Sequence, residues 1–135
     1  MEKLDNLLNA IFSKFNFVSS CLIRLGLGIA FSIHGFSKFP LPPEGLINYF
    51  GFSPFLASLV ALSELGAGIF LIIGGFLNNS FGNLITRASA LTIVIIMINA
   101  FAIAHRDWFI NIKLFTSEQI FLFLIGMYFL IKGNK

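Results

Sequence analysis

Residues 54–77 read PFLASLVALSELGAGIFLIIGGFL, a run whose one charged residue is Glu64. A hydrocarbon core about 30 Å thick takes roughly 20 apolar residues of helix, so this run is long enough to span a bilayer. An ionised carboxylate near its middle costs at least a few kcal/mol unless it is paired or protonated, which makes Glu64 a functional candidate. The bland alternative is a structural pairing with Arg24, His34 or Lys38.

The rest of the chain agrees with that environment. Of 135 residues, 57% are hydrophobic and only 11% charged, and the mean hydropathy of +0.91 is far from that of a soluble domain. An integral membrane protein follows, with room for one helical bundle and no sizeable domain outside the lipid. Nine basic residues against six acidic give a pI near 9.3, which in such a chain reports loop charge bias and not nucleic-acid binding. The single cysteine, Cys21, excludes an internal disulfide redox pair and a CxxCH attachment for covalent haem. It reads as a packed thiol.

Outward from the central run, hydrophobic periodicity predicts an all-α chain. Residues 1–16 place Leu4, Leu7, Leu8, Ile11, Phe12 and Phe15 at helical spacing with polar residues around them, the pattern of a short amphipathic helix lying in the membrane interface. No secretory signal pattern is legible there, so the N-terminus is expected to be retained. Residues 17–135 form the transmembrane domain, a four-helix bundle with spans near 17–36, 54–77, 84–104 and 117–131. The fourth is short for a crossing. The connection 39–53 carries Pro40, Pro42 and Pro43 followed by Leu46, Ile47, Tyr49 and Phe50, and reads as a packed cap able to lid a site. The connection 78–83, rich in Asn, reads as a turn.

Basic residues divide by side, with Lys3, Lys14, Arg24, Arg87, Lys132 and Lys135 at the end of the termini and Lys38, Arg106 and Lys113 opposite. That bias puts both termini inside. Alternating helix direction then sorts the polar residues by depth. Arg24 and Arg87 lie at the inner end, as structural or topology residues. His34, Lys38, Glu64, Asn99, His105 and Glu118 share the outer half. Ala57, Ala61, Glu64 and Gly68 fall on one helix face, and Ala88, Thr92, Asn99, Ala102 and Arg106 on another, both read as inward stripes of small and polar residues. His105, Arg106, Asp107 and Trp108 read equally as an interfacial belt and turn.

Two histidines and two glutamates at one depth suggest metal ligation, but neither HExxH nor a Glu-x-x-His within one helix is present, and the metal reading is disfavoured. A carboxyl group and an imidazole instead make a proton donor and acceptor suited to a quinone head group, with Glu64 and His34 in the catalytic role and Lys38, Asn99, His105 and Glu118 binding around them.

The motifs Arg24-Leu25-Gly26-Leu27-Gly28, His34-Gly35 with Lys38, Ser63-Glu64-Leu65-Gly66-Ala67-Gly68 with Gly74-Gly75, Thr86-Arg87-Ala88-Ser89-Ala90, and a glutamate opening the last helix together resemble the DoxX family. They cover about residues 22–130. The resemblance implies a four-helix membrane protein related to the small subunit of a thiosulfate:quinone oxidoreductase, and it highlights Arg24, His34, Lys38, Glu64, Arg87 and Glu118. Two functions are therefore expected. One is a membrane subunit of a quinone-linked oxidoreductase in a bacterial inner membrane, working with lipid, a quinone or quinol, and a partner subunit or a second copy, since the chain carries no electron carrier. The other is a non-enzymatic assembly scaffold that packs on a partner through small-residue faces. A small transporter is a third reading, without an inverted repeat to support it.

Overall fold

The structure, a computed structural model, describes residues 1–107 and 112–134. Trp108 and Lys135 lie outside the described residues. The described residues form helices α1 (Glu2–Phe12), α2 (Asn16–Phe36), α3 (Glu44–Phe50), α4 (Pro54–Phe76), α5 (Ser80–Ile103), α6 (Lys113–Thr116) and α7 (Glu118–Lys132), with a 3-10 turn at Ser13–Phe15 joining α1 to α2. No strand occurs among them.

Among the described residues, three helical stretches, Glu2–Phe36, Pro54–Phe76 and Ser80–Ile103, are long and apolar enough to cross a membrane. The fourth helix lies one residue later at each end than the sequence reading put it, and is as short as expected. At 15 residues, α7 is about 22 Å long, short of a hydrocarbon core of about 30 Å. Ser117 is extended before it and Gly133 takes a positive φ after it, so the helix is bounded at both ends. The third span starts earlier than the sequence suggested, because the Asn79 side chain accepts a hydrogen bond from Gly82 N at 2.8 Å. The Asn-rich turn is thus also an N-cap, which carries α5 back to Ser80.

The distribution of side chains is inverted relative to a protein in water. Arg24, Glu64, Thr86 and Ser89 are buried, whereas Phe17, Phe36, Phe55, Phe76 and Ile131 are exposed on the outside. Lipid is the solvent that suits such a surface.

Inside, α2 packs on α4, α4 on α5, and α5 on α7, while α7 also touches α2. Leu27, Phe31, Leu71, Ile93, Phe101 and Phe129 form the centre. Glycine sets the closest approach: a Cβ on Gly68 would sit 2.5 Å from both Gly28 O and Ser32 Oγ. A Cβ on Gly35 would collide with the Leu65 backbone. Without side chains at these points the two backbones touch directly.

Of the two stripes expected to face inward, the one on α4 does so, with Ala57, Ala61, Glu64 and Gly68 buried. The one on α5 does not. Ala88, Asn99, Ala102 and Arg106 are exposed and Thr92 is half-buried, while the buried face is Thr86, Ser89, Ala90, Ile93, Val94, Met97 and Phe101. The large apolar residues win the core because α5 meets both α4 and α7 through them. The N-terminal α1 buries none of its residues.

Candidate functional site

The last turn of α2 and the middle of α4 build the site. Gly35 lets α2 lie directly on Leu65, and this contact brings the residue after it on the helix face, Lys38, to Glu64. The Lys38 ammonium forms an ion pair with Glu64 Oε2 and donates a second hydrogen bond to His34 O at 3.1 Å. Both side chains are largely shielded, 21% and 9% exposed. An ion pair in such a place is held by its geometry, and removing either partner strands the other charge.

Beside the pair lies a cavity of about 530 Å³ between α4 and α5. Lys38, Ser63, Glu64, Thr92 and Asn99 supply its polar lining, and Leu59, Val60, Ile95, Ile96 and Ile103 much of the apolar wall. Leu46 and Phe50 of α3, with Phe52, close one side, so the proline-rich connection does cap this space. Asn99 commits an Nδ2 hydrogen to Ile95 O at 2.8 Å on its own helix. An apolar chamber of this size with an ammonium, a carboxylate and an amide converging on it is the form of a small-molecule site.

His34 takes a different partner from the one its sequence position suggested. Its Nε2 lies 3.4 Å from Glu118 Oε1, joining α2 to α7, with the two side chains 44% and 67% exposed. Such a pair contributes little to stability. Neither residue lines the cavity. His105 is half-buried just after α5 ends and does not line it either. The expected single cluster is therefore two neighbouring groups, Lys38 with Glu64 and Asn99, and His34 with Glu118, linked through the His34 carbonyl.

At the opposite end Arg24 is buried, 7% exposed, and has a defined set of partners. Its Nη1 donates to Leu71 O and to Thr86 Oγ1, each at 2.9 Å, and its Nη2 donates to Asn134 Oδ1 at 2.9 Å. The guanidinium also lies 4.5 Å from the Phe129 ring centre. Asn134 completes the clasp by donating Nδ2 to Gly74 O at 2.8 Å and its backbone N–H to Asn83 Oδ1 at 2.9 Å, while Thr86 Oγ1 donates to Asn134 Oδ1 at 2.6 Å. Arg24 thus ties α2, α4, α5 and the chain end together. Arg87, exposed, donates Nη2 to Ile131 O at 3.1 Å. The sequence reading missed Thr86, Asn83 and Asn134 as clasp residues; the polar pair Gly133-Asn134 closing an apolar helix was the available signal.

No curated protein and no solved structure matches the chain. The family model DoxX matches residues 20–106, a stretch that holds the Arg24 clasp on α2 and α5, the Lys38–Glu64 pair and the cavity wall to Ala104. With well over half its length matched, this apolar helical membrane chain belongs to the DoxX family.

Proposed function

We propose that the chain is a four-span subunit of a quinone-linked oxidoreductase in a bacterial inner membrane, with both termini cytoplasmic and α1 lying in the interface. The quinone head group enters the cavity beside Lys38 and Glu64. The observation that carries this reading is the cavity of about 530 Å³ with apolar walls and the shielded Lys38–Glu64 pair at its edge. A quinone is an apolar molecule with two carbonyl oxygens that need a donor, and its quinol needs an acceptor. Lys38 is the donor, Glu64 the acceptor for a quinol hydroxyl, and Asn99 a further polar contact. The neighbouring His34–Glu118 pair, half open to its surroundings, gives a released proton a route outward, and the electrons pass to a partner subunit.

The scaffold reading drew on the small-residue faces of two helices, α4 and α5. On α4, Ala57, Ala61 and Gly68 are already buried within the chain, whereas on α5 Ala88 and Ala102 are exposed, so a partner would pack on the α5 face.

Photolabelling with an azido-quinone in native membranes tests the location. Label is expected on peptides from residues 46–64 and 92–104, competed away by unlabelled quinol. Label confined to residues 17–33, or insensitive to competition, would contradict it.

A further inference from the structure

A second cavity, of about 350 Å³, lies at the end of the chain termini between α2 and α4. Among the described residues its charged lining is Arg24 and Lys132, with no carboxylate, and Asn16, Ser20 and Asn78 add neutral hydrogen-bonding groups. Arg24 has used both Nη1 hydrogens and one Nη2 hydrogen in the clasp, which leaves Nε–H and the second Nη2–H for the cavity. Among the described residues no buried side-chain nitrogen or oxygen lacks a partner, so Nε, which makes no hydrogen bond in the clasp, is not sealed away. Lys132 is held by one hydrogen bond from Nζ to Tyr128 Oη at 2.7 Å, with its remaining hydrogens available.

The position fits a particular class of ligand. The lining comes from the first turns of α2, the last turn of α4 and the end of α7, so the cavity lies toward one end of the helices, within reach of lipid head groups once they cross a bilayer. Phe17 and Phe76, 78% and 72% exposed, stand in the same wall, so an acyl chain descending from the head group meets aromatic surface. Two cations with no counter-anion among the described residues, beside an apolar flank, match a lipid phosphate in charge and in shape.

We propose that this cavity binds the phosphate of an anionic phospholipid, with Arg24 and Lys132 as its ligands. The inference rests on the membrane placement of α2 and α4 and is independent of the quinone cavity at the other end.

Cys21 lines the cavity and is the only cysteine in the chain, so its alkylation rate reports occupancy. The purified protein in neutral detergent is treated with a small thiol reagent and titrated with phosphatidylglycerol, phosphatidylcholine or inorganic phosphate, and melting temperature is read in parallel. Phosphatidylglycerol is expected to slow alkylation and raise the melting temperature, and the other two to do neither at the same concentration. In Lys132→Gln, which leaves the Arg24 clasp intact, the phosphatidylglycerol concentration for half-effect is expected to rise about fivefold, the worth of one basic side chain at an anionic surface. Equal effects of phosphatidylcholine, or a Lys132→Gln titration identical to wild type, would overturn the site. Inorganic phosphate acting as well as phosphatidylglycerol would overturn the lipid as its occupant.

Discussion

Arg24→Met is expected to lower the unfolding free energy by about 3 kcal/mol, read as a large fall in melting temperature in mild detergent. Methionine matches the length of the stem but leaves Leu71 O, Thr86 Oγ1 and Asn134 Oδ1 without the donor that now serves all three. Asn134 Oδ1 still accepts from Thr86 Oγ1, so the loss falls mainly on Leu71 O and Thr86 Oγ1, and a buried acceptor that loses its donor costs about 1–3 kcal/mol in an apolar setting, partly recovered by rearrangement. Arg24→Lys is expected to rescue little of this, because an ammonium cannot reproduce the planar fork that meets acceptors on three segments. Full stability in Arg24→Lys would show that charge at this end matters and the clasp geometry does not.

Gly68→Ala carries the second large effect. The added Cβ would stand 2.5 Å from Gly28 O and Ser32 Oγ and 2.6 Å from Ser32 N, and because two of these are backbone atoms, α2 and α4 have to separate. A loss of about 3 kcal/mol is expected, at the upper end of overpacking. Gly26→Ala is the control: a Cβ there meets nothing within 4 Å, so the ordinary helix preference for Ala over Gly, up to about 1 kcal/mol, acts alone and the variant is expected to be neutral or more stable. The contrast between these two substitutions, measured side by side as melting temperatures, separates a steric seam from general glycine content. Equal effects would contradict the seam.

Much of this architecture was legible in the sequence for simple reasons. The run 54–77 has one helical reading by length and hydropathy, and α4 ends one residue from it. Glu64 stood out as a charge in an apolar run, and its burial follows from that. Its partner was harder to read. His34 lies in the last turn of α2 and Lys38 four residues on, in the turn that follows it, and which of them meets α4 depends on the Gly35–Leu65 contact, a matter of helix rotation that hydropathy does not encode. The same limit explains α5, where a stripe of small and polar residues suggested an interior face, although bulkier Ile93, Met97 and Phe101 take the core and Asn99 is left to line the cavity. The Arg24–Asn134 contact joins residues separated by 110 positions. Gly133-Asn134 marks the end of an apolar helix, but no local pattern names Arg24 as its partner.

The central claim is that the cavity beside Glu64 holds a quinone head group, and thermal stability with and without a short-chain quinol tests it most directly. A ligand bound only to the native state adds about 2.7 kcal/mol at roughly a hundredfold excess over its Kd, a shift of several degrees in melting temperature. The account predicts that shift in the wild type and its loss in a Glu64→Gln variant that remains folded. No shift in the wild type, or an equal shift in Glu64→Gln, would contradict it.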